Sequence, residues 1–308
     1  MAAPAISSPT SIGAKLATTV GAYVALTKPR IIELLLVTTV PVMVVADQGV
    51  PPLWLMAAAV IGGTLAAGGA NAINMYVDRD IDSVMERTQG RPLVTGAVTP
   101  RNALVFAVTI EVVAFVFLWQ VVNLLSAVLA VSGCLYYVFI YTLWLKRSSR
   151  QNIVIGGAAG AVPVLVGWSA VTDTVSISAI VLFGVIFFWT PPHFWSLALF
   201  VKSDYAKVGI PMMPVVAGER STRRQILAYA VLLLPLSMAP WWIGGTGAVY
   251  GLSALALSLV FLALSVRVGL RTSGEGDTMK PEKQLFAWSV IYLFSLFAAL
   301  VADRLILA

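Results

Sequence analysis

The sequence predicts an all-α polytopic membrane protein, nine transmembrane helices around a central cavity. Three observations predict it. The 308-residue chain is 59% hydrophobic and only 11% charged, a balance outside the range of soluble domains. Nine apolar runs stand against the ~20 residues a helix needs to cross hydrocarbon. The basic residues alternate from one side of these runs to the other.

In order, the runs cover 31–46, 53–77, 102–120, 124–145, 153–171, 177–200, 225–243, 247–266 and 285–303. Backbone groups in lipid must be satisfied within the segment, so each run is a helix. The period-2 alternation of a membrane barrel is absent. The connections on one side are short: Asp47 to Pro52, a few residues near Asn123, Thr172 to Ser176, and Gly244 to Gly247. Small residues cluster before the end of the second run (Gly62-Gly63, Ala66 to Ala70) and at the start of the fifth (Gly156 to Ala161). Such residues let membrane helices approach closely.

With the N-terminus placed in the cytoplasm, the inner segments collect nearly all the positive charge. The first holds Lys15, Lys28 and Arg30; the next, Arg79, Arg87, Arg91 and Arg101; then Lys146, Arg147 and Arg150. Lys202, Lys207, Arg220, Arg223 and Arg224 follow, and last Arg267, Arg271, Lys280 and Lys283. That is 19 of the 20 basic residues, with only Arg304 outside. The pattern obeys the positive-inside rule. It explains the net charge of +6 without a nucleic-acid partner. The partner is the lipid bilayer.

Residues 1–27 are small and polar, with neither a secretory h-region nor the Arg-rich character of a transit peptide. They read as a flexible cytoplasmic segment, and 28–308 as a single membrane domain of a bacterial plasma (inner) membrane. The lone Cys134 lies in an apolar run and reads as a core residue, so no disulfide framework exists.

The chemistry begins where the second run ends, at Asn71-Ala-Ile-Asn74-Met-Tyr-Val-Asp78-Arg-Asp80-Ile-Asp82. At 100° per residue, Asn71, Asn74, Asp78 and Asp82 fall within about 80° of one helix face, and Asp80 points away. Aligned polar groups at membrane depth mark function. Oxygen ligands of this kind suit a hard cation such as Mg²⁺. Arg87 and Arg91 follow closely, and guanidiniums beside carboxylates suggest a metal-bridged phosphate. The second rich loop holds Lys202, Asp204, Tyr205 and Lys207, then Gly209 and Pro211 at a turn. Its lysines can bind phosphate, and Asp204 could complete a metal shell. The two loops lie four runs apart, which suggests two pseudo-equivalent helix groups facing across the cavity.

These motifs resemble the intramembrane prenyltransferase superfamily that includes 4-hydroxybenzoate polyprenyltransferase. Its Asn-x-x-x-Asp-x-x-x-Asp motif is matched by Asn74, Asp78 and Asp82. Further matches are Lys28-Pro-Arg30, Arg87-Thr88, Arg91-Pro-Leu93, Thr190-Pro-Pro-His193-Phe-Trp195, and Asp204-Tyr205 with Gly209-Ile-Pro211-Met212. Together they resemble the branch whose members farnesylate heme. Quinone-type members carry several aspartates in the second motif, whereas this chain has Asp204 alone and Val208 four residues on. That departure puts a symmetric two-metal site in doubt.

The resemblance implies transfer of a farnesyl group from farnesyl diphosphate to a vinyl carbon of heme b (protoheme IX), giving heme O and diphosphate. It implies Mg²⁺ held by Asn74, Asp78, Asp82 and Asp204, with Arg87 and Lys202 assisting catalysis. Lys28, Arg30, Asn71, Arg91, His193, Tyr205 and Lys207 are the implied substrate contacts. His193, the only histidine, suits either a heme contact or a hydrogen-bonding role. Glu33 and Glu111 are intramembrane acids without an assigned role. Contact with a downstream heme-modifying enzyme is left open. A quinone-precursor acceptor and, in another class, a secondary transporter are the competing readings.

Overall fold

The computed structural model describes the backbone of residues 12–272 and 278–307, with side chains at 18–29, 37–272 and 278–306. Arg30, Glu33 and Lys15 therefore have side chains outside the described residues. So does the tip of the last inner loop, 273–277.

Among the described residues all regular structure is helical. Helix α1 (Ile12–Leu26) occupies the segment expected to be flexible. Its Leu26 is fully buried and packs with Tyr23 against Ala72, Met75 and Ala107. Helices α2 (Pro29–Asp47) and α3 (Leu53–Val77) follow, then the single turn α4 (Arg79–Asp82). Helix α5 is Pro100–Val121, started by Pro100 and capped by Thr99, whose side chain accepts from the Asn102 amide. The next span runs Leu124–Ser148 in three parts: α6 (Leu124–Leu135), ten residues of π-helix (Tyr136–Leu145), and α7 (Lys146–Ser148). Then come α8 (Asn152–Thr172), α9 (Ile177–Phe200), the short α10 (Lys202–Lys207) and α11 (Met213–Val216), α12 (Gly218–Trp242), α13 (Ala248–Gly269) and α14 (Lys280–Leu307).

Eight of these elements are long and apolar enough to cross a membrane, and the described part of α2, Val37–Asp47, is apolar as well. Among the described residues the nine expected runs fall on nine helical stretches, most extended by a few residues at their ends. Successive spans pack in chain order, and α14 returns against α2 to close the ring. The largest core cluster joins α2, α8, α9 and α12 to α14 around Trp189, Trp195, Tyr250, Phe261 and Tyr292. The outward faces are apolar too: Val105, Val108, Val112, Val116 and Trp119 form an exposed stripe along α5. In a soluble helix that stripe would face inward; here it is suited to lipid.

Candidate active site

The end of α3 carries the polar stripe inward. Asn71, Asn74, Asp78 and Asp82 are all buried, and Asp78 is fully so. The chain leaves α3 at Asp78, whose amide still bonds the Asn74 carbonyl, and α4 carries the same face on to Asp82. Asp80, on the opposite face, is exposed as its azimuth predicts.

Cations converge on this face. The Lys146 ammonium sits on Asp78 Oδ2, and the Arg91 guanidinium sits on Asp82 Oδ2. Lys28 Nζ donates to Asn74 Oδ1 at 2.7 Å. Asn74 Nδ2 donates both to Asp78 Oδ2 at 2.8 Å and to Thr142 Oγ1 at 3.1 Å. Lys28 takes a left-handed backbone (φ 53) just before Pro29, a sparsely populated conformation of the kind found at functional sites. Burial, then the neighbouring Arg91 and Lys146, push the Lys28 amine down to about 7. Three basic groups therefore share one space with two carboxylates, and a further anion would favour the charged form of Lys28.

The π-helix builds the opposite wall. Its wide turns bring Thr142 onto the Tyr137 carbonyl, five residues back, at 2.9 Å. π segments recur at functional sites because they turn side chains away from the α register. Here they face Tyr137, Tyr141 and Thr142 toward α3 and deliver Lys146 to Asp78. The Tyr137 and Tyr141 rings stack at 5.4 Å. Asp78, Arg87 and Tyr205 all lie within electrostatic reach of the Tyr141 hydroxyl. Arg87 and Tyr205, from the two inner loops, thus approach the same space.

Other expected contacts go elsewhere. Asn71 Nδ2 donates to the Thr27 carbonyl at 3.1 Å and ties α3 to the end of α1. Lys202 lies 3.4 Å from Glu219, and Lys207 lies 2.8 Å from Glu86. The latter pair joins the two inner loops directly. Asp204 is half-buried beside Tyr205 and Lys207. Among the described residues no three of His, Cys, Asp and Glu gather at metal-ligating spacing. Asp204, on α10, does not join Asp78 and Asp82 in one such cluster. The remaining donors nevertheless fit a hard cation. Asp78 Oδ1 is buried without a hydrogen-bond partner, and Asn74 and Asp82 add oxygen on the same face. Mg²⁺ is commonly held by one or two carboxylates, with phosphate oxygens completing the shell.

His193 lies on α9, where Trp189 and Phe286 stack on its two sides at 4.3 and 4.8 Å. Its Nδ1 shares a 2.6 Å hydrogen bond with Ser289 Oγ. Trp189 Nε1 donates to the Ser289 carbonyl at 2.9 Å, so one residue of α14 orients both rings.

Lys146, Thr142, Tyr137 and Tyr141 were missed in the sequence, where Lys146 counted only as a topology charge. A buried network was missed as well. Glu282, fully buried, accepts from Arg223 Nε at 2.8 Å and from Arg271 at 2.7 Å. Arg223 also lies 3.5 Å from Glu219, which links the network to Lys202.

A ring of membrane-length helices, closed over a buried acid face lined with cations, is the architecture of an intramembrane enzyme for a charged-headed lipid. Comparison with known proteins gives that class its family: the chain belongs to the UbiA prenyltransferase family, whose model matches residues 35–300. Among curated relatives, a protoheme IX farnesyltransferase of Erythrobacter litoralis is 52% identical over 282 residues, covering 92% of each chain. One from Novosphingobium aromaticivorans is 53% identical over 283 residues, covering 92% of this chain and 93% of the relative. Among solved structures, a digeranylgeranylglyceryl phosphate synthase superposes with a TM-score of 0.76 at 15% identity, over 93% of this chain and 98% of that one. A UbiA homolog from Archaeoglobus fulgidus bound to DMAPP and Mg²⁺ gives a TM-score of 0.67 at 17% identity, over 90% and 99%. These two likenesses bear on the fold.

Proposed function

We propose that this chain transfers the farnesyl group of farnesyl diphosphate to a vinyl carbon of heme b, yielding heme O and diphosphate. One observation carries the diphosphate end: Lys28, Arg91 and Lys146 converge on a buried Asn74–Asp78–Asp82 face. The acceptor is supported by the name of relatives that share about half their residues with this chain.

In this reading the reaction breaks an allylic C–O bond, and the diphosphate leaves with the electron pair. The vinyl π electrons attack the allylic carbon. Water adds to the resulting cation and loses a proton, leaving the hydroxyethyl link. Asn74, Asp78 and Asp82 would hold Mg²⁺. A bound Mg²⁺ supplies Lewis-acid stabilisation of the leaving charge. Lys28, Arg91 and Lys146 are pre-placed to neutralise the diphosphate, with no reorganisation at the moment of reaction. Arg87 offers a bidentate fork to phosphate oxygens. Lys202 and Lys207 help hold the second loop in place through Glu219 and Glu86 and add positive potential. The surrounding apolar helices shield the allylic cation from premature water. Trp189, Phe286 and Ser289 orient His193 to meet the porphyrin. In this reading the charged end of the bundle faces the cytoplasm of a bacterial plasma membrane, an orientation that the basic-residue asymmetry supports.

The test is product analysis on membranes containing the chain. Incubation with farnesyl diphosphate, Mg²⁺ and heme b should release diphosphate and shift the heme to the mass and spectrum of heme O. Prenylation of 4-hydroxybenzoate with no heme product would replace the acceptor. Absence of any diphosphate release would remove the reading altogether.

A further inference from the structure

Asp80 belongs to the polar stripe in sequence but not in azimuth, and its role lies in what it grips. Arg147, next to Lys146 at the foot of the π-helix, meets Asp80 as a fork: NH1 donates to Oδ2 and NH2 to Oδ1, each at 2.7 Å. NH2 also bonds the Val77 carbonyl at 3.3 Å. This grip holds the Asp80 carboxyl down to about 2. The same NH2 forms a longer ion pair with Asp78 Oδ1 at 3.7 Å, beyond hydrogen-bond range. Asp78 is thus asymmetric. Its Oδ2 accepts from Asn74 and Lys146, while its Oδ1 is buried without a donor.

A buried carboxylate oxygen without a partner is costly, and a guanidinium is the side chain best equipped to satisfy it. Arg147 is adjacent and pairs with Oδ1 at 3.7 Å, but gives it no hydrogen bond. Both of its terminal nitrogens are occupied by Asp80.

We propose that Asp80 is a positioning residue that holds the Arg147 guanidinium off Asp78 and so keeps Oδ1 open for the divalent cation. The inference rests on Asp78 being a metal ligand. It gives the exposed Asp80–Arg147 pair a task that its small contribution to stability would not supply. Removing the Asp80 carboxylate frees the guanidinium to turn inward by about an ångström and compete for the same lone pairs.

Mn²⁺ is the probe, titrated into the full-length protein in detergent and read by the loss of the free-ion EPR signal. Wild type should bind Mn²⁺, and Asp78→Asn should not. Binding unchanged in Asp78→Asn would remove the metal-ligand reading itself. Given that control, Asp80→Ala should weaken Mn²⁺ binding by roughly tenfold or more, the scale of one competing charge-assisted hydrogen bond. Arg147→Gln alone should bind at least as tightly as wild type. The Asp80→Ala/Arg147→Gln double variant should return to wild-type affinity. Wild-type affinity in Asp80→Ala, no recovery in the double variant, or weakened binding in Arg147→Gln would each overturn the proposal. The Arg147→Gln arm keeps the proposal falsifiable even where Asp80→Ala fails to fold.

Discussion

Gly156 of α8 lies flat against the ring of Tyr141: a β-carbon at that glycine would stand 2.3 Å from Tyr141 Cδ2. The fifth span thereby sets how far the tyrosine can withdraw from the acid face. Gly160, one turn along α8, has open space where its β-carbon would be. Gly156→Ala should displace Tyr141 at a strain of about 1–3 kcal/mol and lower turnover by roughly 5- to 150-fold. Gly160→Ala should leave the rate near wild type. Diphosphate release by the two variants at equal membrane content checks the contrast.

Asp78→Ala and Asp82→Ala should each abolish turnover while the protein stays inserted. Removal of a ligand should cost more than the 10–100-fold typical of supporting residues around a metal. Asp78→Ala also leaves Lys146 without its partner, so some loss of thermal stability should accompany it. Turnover within tenfold of wild type in either variant would remove that carboxylate from the proposed metal set.

Arg87 is exposed and has no ion pair among the described residues, whereas Lys202 and Lys207 are engaged by glutamates. Arg87→Lys should therefore raise the KM for farnesyl diphosphate more than Lys202→Gln does, because a point charge cannot reproduce the fork. Steady-state kinetics in farnesyl diphosphate tests the ranking.

Glu282→Gln should act on stability before chemistry. It removes the closer of the two carboxylates on the buried Arg223 and leaves Glu219 at 3.5 Å, so the cost should fall below the about 3–5 kcal/mol of a fully unpaired buried charge. Thermal unfolding in detergent should show a clear fall in midpoint. Protein that remains folded should keep a wild-type KM for farnesyl diphosphate.

The Glu86–Lys207 bridge should be insensitive to pH over the neutral range. The Lys207 hydrogen bond holds the Glu86 carboxyl below its ordinary 4.5, so the bridge persists above that value and is lost only as pH falls through the lowered pKa. The Glu86 partner raises Lys207 above 10.5, so at high pH the bridge fails only beyond the usual lysine range. Salt should weaken it instead. The distance between spin labels placed beside these positions should stay the same from pH 6 to 9, and its distribution should broaden as salt rises.

The polar stripe was legible because α3 and α4 keep nearly one helical register from Asn71 to Asp82, so periodicity alone placed four side chains on one face. The spans were legible because hydrophobic length and basic-residue alternation agree. Lys146 was not legible. Its partner Asp78 lies 68 residues away, and the turn that aims it is a π-helix made of ordinary apolar and aromatic residues, with no proline or glycine to mark it. Arg223 and Glu282 were hidden for a different reason. Charges near span ends look like topology signals, and only packing decides which are drawn into the core. Helix α1 was hidden by its small polar composition, and one buried leucine, Leu26, anchors its end.

The π-helix has a consequence for how this protein tolerates change in length. Each α-helical residue adds about 100° of rotation and 1.5 Å of rise. Between Tyr136 and Leu145 the wider turns spend residues without the usual rotation, and Lys146 arrives opposite Asp78 only because of that count. An in-frame loss of one codon from this stretch would ease the helix toward ordinary winding and leave hydropathy almost untouched. It would also swing Lys146 and Arg147 together away from α3. The segment can exchange one apolar side chain for another far more readily than it can lose one.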